Sequence, residues 1–118
     1  MTIMSENEQF QSYITELRRG SLTIAVLGCL EKSYYGYALL QTMQGKGISI
    51  EANTLYPLLR RLEGQGLLES DWDTTESRPR KYYIISDKGR RAFKELLLEW
   101  NKMQKSLELI CKEGANNV

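Results

Sequence analysis

Six apolar residues near the end of the chain constrain its fold more than any other feature. Phe93, Leu96, Trp100, Met103, Leu107 and Ile110 recur at alternating steps of three and four. That is the a/d spacing of a heptad helix, sustained over about two and a half heptads. Ser86 is placed to cap this helix and Asp87 to complement its dipole, so the element is expected from Asp87 to about Lys112. A helix of about 26 residues is about 39 Å long, farther than a small domain covers from one side. The stripe can pack on the chain's own first helix or on a second copy. Its length favours the second copy, which makes these six residues the expected dimer interface. Trp100 is bulky and carries an N–H, so it fits poorly in a tight seam. It can fill the interface, or two symmetry-related rings can leave a slot for a planar guest, with Phe93 and Met103 as its neighbours.

The rest of the chain reads as short helices followed by a hairpin. Phe10, Tyr13, Ile14 and Leu17 mark one helical face, and Leu22 to Leu30 is a nearly all-apolar helical stretch, with Gly20 and Ser21 as a brief interruption between them. Ser33 is a candidate N-cap for a second helix, Tyr35 to about Gln44, ended by Gly45 and Gly47. Leu55, Leu58, Leu59 and Leu62 stripe a third helix from about Ala52 to Gln65, closed by Gly66. Leu67, Leu68 and Trp72, then Tyr82 to Ile85, read as two strands around a polar tip at Asp73–Pro79. Helix, helix, helix, hairpin, helix is the order of a winged helix-turn-helix with an added C-terminal helix. The fold expected is mainly α with a small β-hairpin. Residues 1–86 form the winged domain with its N-terminal helix. Residues 87–118 form a dimerisation helix and short tail.

Composition narrows the function. The 118 residues include no histidine, which excludes a Ser-His-Asp triad, a Cys-His dyad and any His-ligated zinc within the chain. Gly45-Lys46-Gly47 and Gly64-Gln65-Gly66 follow no strand, so they are turn signals rather than phosphate loops. No enzyme activity, metal or cofactor is expected. Cys29 and Cys111 sit in apolar surroundings and read as buried free thiols. The longest apolar run, Ile24 to Leu30, is too short to span a bilayer, and residues 1–20 lack the apolar core of a signal peptide. A cytoplasmic protein with no membrane contact is expected.

The net charge of +1 hides a strong separation. Arg78, Arg80, Lys81, Lys88, Arg90, Arg91 and Lys94 face only Asp87 within residues 78–94, a local +6. Residues 62–77 carry Glu63, Glu69, Asp71, Asp73 and Glu76 without a base, a local −5. Such a run can be a solvated face balanced by neighbouring acids. Its place on a wing beside a helix-turn-helix points instead to phosphate contact. In the third helix the leucines mark the buried side, with Asn53, Pro57, Arg60 and Gly64 opposite and Tyr56 and Arg61 on the flanks. Asn53 suits adenine, Arg60 suits guanine or a phosphate, and Thr54 and Pro57 suit a thymine methyl. Helix capping competes for Asn53 and Thr54, and packing on the second helix competes for Tyr56.

The chain resembles the PadR family of bacterial transcriptional regulators, in its short subgroup with one C-terminal helix. The resemblance rests on Tyr35-Gly36-Tyr37, on Thr54-Leu55-Tyr56-Pro57-Leu58-Leu59-Arg60-Arg61-Leu62-Glu63 and on Gly66-Leu67-Leu68. It continues with Arg78-Pro79-Arg80-Lys81-Tyr82-Tyr83 and Ser86-Asp87-Lys88-Gly89, covering about residues 17 to 110. It implies a homodimeric winged-helix repressor that contacts double-stranded DNA through Thr54 and Tyr56 of the third helix and Arg80 and Lys81 of the wing, and twofold symmetry of such a dimer suits a pseudo-palindromic operator. It also implies release by a small effector. Trp100 follows Gly89 by eleven residues, where multidrug-binding members also carry Trp and stack planar aromatic drugs between subunits. The chain departs from the family pattern in its longer N-terminal segment and its acidic wing tip. The expected DNA-contacting set is Tyr35, Asn53, Thr54, Tyr56, Pro57, Arg60, Arg61, Arg78, Arg80 and Lys81. The competing reading, suggested by the acidic block, is a winged-helix protein-interaction module that does not bind DNA.

Overall fold

The computed structural model describes residues 3–116. Helix α1 (Glu6–Cys29) is capped by Ser5, whose hydroxyl accepts from the Glu8 N–H at 3.2 Å. The helix runs unbroken through Gly20 and Ser21, contrary to the interruption expected there. Ser21 keeps its hydroxyl inside the helix by donating to the Arg18 carbonyl at 3.0 Å, and no turn follows. Helix α2 (Gly36–Gly45) begins without help from Ser33. Tyr34 and Tyr35 are extended instead and form a short strand, β1, and Tyr35 occupies the N-cap position without a side-chain bond to the helix. Gly47, at φ +87°, turns the chain toward α3 (Ala52–Gly64). Pro57 lies inside α3, where it cannot donate to the Asn53 carbonyl; both residues are solvent-exposed, so water can replace that bond.

Gly66, at φ +78°, ends the turn into β2 (Leu68–Asp73), which pairs antiparallel with β3 (Arg80–Ile85). The register runs from Leu68 opposite Ile85 to Asp73 opposite Arg80. β1 joins the other edge of β3, Tyr34 opposite Tyr83 and Tyr35 opposite Tyr82, so the hairpin is part of a three-stranded sheet. The core collects Val26 and Leu27 from α1 and Leu30 at its C-cap, Leu39 and Met43 from α2, the four leucines of α3, and Leu68, Tyr83 and Ile85 from the wing. Each buried Leu contributes roughly 1.5–3 kcal/mol.

Ser86 joins the wing to α4 (Asp87–Asn116). Its hydroxyl donates to the Gly66 carbonyl at 2.6 Å and accepts from the Gly89 N–H at 2.9 Å, while its own N–H reaches the Leu67 carbonyl. Gly89 is required by this joint, because a Cβ there would lie 2.1 Å from the Leu67 carbonyl oxygen. α4 continues past Lys112 to Asn116; the last two residues of the expected tail lie outside the described residues. Among the described residues, no helix is long and apolar enough to cross a membrane.

Candidate nucleic-acid interface

α3 divides its residues as the leucine stripe predicts. Leu55, Leu58, Leu59 and Leu62 are buried, and Asn53, Thr54, Pro57, Arg60 and Arg61 are exposed. The N-cap position is Glu51, in extended conformation and without a side-chain cap bond. Asn53 and Thr54 are therefore not caps, and their side chains bond to nothing among the described residues. Tyr56 is half-buried, its ring packed on Gly36 at the start of α2. A Cβ at Gly36 would sit 2.7 Å from the Tyr56 ring, so the Gly36–Tyr56 pair sets how closely α2 and α3 approach.

On the wing, strand alternation separates two residues that the sequence places side by side. Successive β3 side chains point to opposite faces of the sheet. Arg80 lies on the outer face, its guanidinium carbon 4.1 Å above the Tyr35 ring centroid. The Tyr35 hydroxyl donates to the Asp73 carboxylate, and the Tyr82 ring meets Tyr35 edge-on at 6.3 Å. Asp73 also accepts from the N–H and hydroxyl of Thr75, which shapes the wing tip. The Tyr35 bond, followed by the Thr75 bonds, holds the Asp73 carboxyl down to about 2. The same bond raises the Tyr35 phenol. The hydroxyl of Tyr35, a residue expected to contact DNA, is engaged by Asp73 and ties β1 to the wing.

Lys81 lies on the inner face, toward α3. Its ammonium is 3.2 Å from a Glu63 carboxylate oxygen and 5.2 Å from the Tyr83 ring centroid. Burial alone would lower the Lys81 pKa; the hydrogen bond and charge of Glu63, with Tyr83, leave it raised. Glu63 is held below its usual range by the Ser70 hydroxyl first and then by Lys81, against partial burial. Arg80 also meets Glu76, but at 3.8 Å and with both side chains exposed, a pairing worth at most about 1 kcal/mol. Arg60, Arg61 and Arg78 are exposed and have no ion pair among the described residues. The acidic block thus neutralises part of the basic block. Tyr35, Tyr56, Arg80 and Lys81 line one shallow cleft of about 310 Å³ between α2, α3 and β3.

Glu63, Ser70, Asp73 and Tyr83 were not among the expected site residues. Their signal was the acidic run at 62–77, which carries the partners of the wing's bases. Among the described residues, no group of three or more Cys, Asp or Glu is arranged to hold a metal.

One end of the helical stripe packs within the chain itself, on the first helix. Phe93 packs against Gly28 of its own α1, where a Cβ would come 3.1 Å from the ring, and joins the chain's own core. Leu96, Trp100, Met103, Leu107 and Ile110 are exposed, as are Phe10, Tyr13, Ile14 and Leu17 on α1. Cys29 is half-buried, with its thiol pushed up by burial, whereas Cys111 is exposed on α4 and is not the buried thiol expected.

Known proteins share this arrangement. Residues 26–95 match the transcriptional regulator PadR-like family. The solved structure of a PadR family transcriptional regulator from Eggerthella lenta superposes with a TM-score of 0.84 at 45% identity, covering 92% of this chain and 96% of that one. A transcriptional regulator from Clostridium thermocellum gives a TM-score of 0.74 at 29% identity, over 79% of this chain and 95% of that one. Transcriptional regulator Rv3488 of Mycobacterium tuberculosis is 32% identical over 81 residues, 68% of this chain and 76% of that protein.

Proposed function

The chain belongs to the PadR-like family of transcriptional regulators, and from that premise we propose that it is a homodimeric repressor gripping a pseudo-palindromic operator. The family implies DNA-binding regulation and no enzyme activity. One observation carries the specific reading. The exposed side of α3 presents Asn53, Thr54, Arg60 and Arg61 with no side-chain partner among the described residues, beside a wing whose tip carries the exposed Arg78. Unpaired polar groups on a helix can read base edges, and unpaired arginines can replace counterions on phosphates. Arg80, stacked on Tyr35, adds a cation held in one direction. Tyr56 supports α3 by its packing.

Repression follows if the dimer occupies DNA that polymerase needs. A second copy would cover the exposed apolar residues of α4 and α1, and twofold symmetry would match two recognition helices to two half-sites. Trp100 stands within that face, so a planar aromatic effector wedged there would change the spacing of the half-sites. The protein would act where its DNA is, in the cytoplasm. Retardation of the duplex upstream of its own gene, at low salt, tests the reading. Binding that weakens as salt rises is expected. A specific observation favours the protein-interaction module as the second reading: acids of the chain's own wing and α3 already pair with Arg80 and Lys81. No retardation at low salt would favour that module.

A further inference from the structure

One carboxylate ties α3 to both wing strands. Glu63, in the last turn of α3, accepts from the Ser70 hydroxyl on β2 and, at 3.2 Å, from the Lys81 ammonium on β3. Ser70 pairs in register with Tyr83, and Lys81 with Trp72, so all four lie on the sheet face that looks at α3. The Glu63 and Lys81 side chains keep only 30% and 29% of their exposure, unlike the surface pair Arg80–Glu76. Charges this far withdrawn from water are screened less, and losing one strands the other. The Tyr83 ring beneath the ammonium adds a second attraction.

The arrangement leaves Lys81 little freedom to reach a phosphate. We infer that Glu63 and Lys81 form a latch fixing the angle between wing and recognition helix, and that Glu63 is a positioning residue for DNA binding. On this view Lys81 acts through Glu63 and not through a phosphate, while Arg78 and Arg80 meet the backbone. The inference rests on the DNA-binding reading above and deepens it.

The test uses the full chain and the duplex upstream of its gene, titrated by fluorescence anisotropy over a range of salt. Glu63→Gln should weaken binding about tenfold, because the wing is no longer held at its angle. The slope of affinity against salt should stay at the wild-type value, since no phosphate contact is lost. Lys81→Met should behave alike, and the double variant should be no worse than either. Exchanging the charges, Glu63→Lys with Lys81→Glu, should recover most of the loss. The idea is overturned if Lys81→Met flattens the salt slope by about one phosphate per subunit. It is equally overturned if Glu63→Gln strengthens binding and steepens the slope, which would mean that freed Lys81 takes a phosphate. Hydrogen exchange supplies an arm independent of DNA. Amides of β2 and β3 should exchange faster in Glu63→Gln while those of α4 do not, and unchanged wing exchange would refute the latch. If the wild-type protein binds no duplex, the DNA-binding reading fails and exchange alone decides the latch.

Discussion

Asp73 shows how much one wing residue is asked to do. It accepts from Tyr35 across the sheet and from Thr75 at the tip, so its charged form is favoured in the folded chain. A depressed carboxyl pKa contributes stability that is complete above the unfolded value, about 3.9, and disappears as pH falls through the folded value. With that folded value at about 2, the contribution should be full at neutral pH and fade between about pH 4 and about pH 2. Thermal unfolding of wild type and Asp73→Asn should differ by a constant margin above about pH 5, and the margin should close toward pH 2. A margin independent of pH would mean that the Asp73 charge plays no part. This residue was visible in the sequence only as one acid among five. Arg80 and Lys81 are neighbours in the basic block of the wing, and the sequence gives both the same expectation of phosphate contact. The alternation of β3 sends one to Tyr35 and the other to Glu63.

Elements were more legible than contacts, because periodicity reports burial directly. The leucine stripe located α3 to within a residue, and the heptad stripe located α4. β1 was missed since two residues are too short to show a period, and its strand character comes wholly from pairing with β3. Gly20 and Ser21 suggested a break in α1 that helix continuity on either side overrides. The heptad stripe also mixes two jobs, as Phe93 packs on its own α1 and the later positions stay open. Those later positions should hold a second copy. Leu107→Glu with Ile110→Glu places charges on two of the seam positions without losing helix propensity. Sedimentation velocity should show wild-type dimers and variant monomers at micromolar concentration. A wild-type monomer, or a variant that stays dimeric, would place the interface elsewhere.

At the scale of the whole molecule, the shape agrees with an unfinished assembly. The Cα radius of gyration is 17.9 Å with extents of 64 × 41 × 25 Å. A compact chain of this length would have a radius of about 13.5 Å. The excess comes from α4, about 45 Å long, and from the first half of α1, whose residues are all exposed through Gly20. The near-zero net charge is also resolved at this scale. Acids of α3 and the wing restrain Arg80 and Lys81, leaving Arg60, Arg61 and Arg78 without an ion pair among the described residues, around the exposed face of α3. The central claim is that this face reads DNA sequence. The most direct measurement compares affinity for the duplex upstream of the gene with affinity for a scrambled duplex, in wild type and in Asn53→Ala with Thr54→Ala. Loss of base contacts should cost about 1–3 kcal/mol per half-site on the native sequence and leave the scrambled duplex unaffected. Equal losses on both duplexes, or none on either, would contradict the assignment of α3 as the reading element.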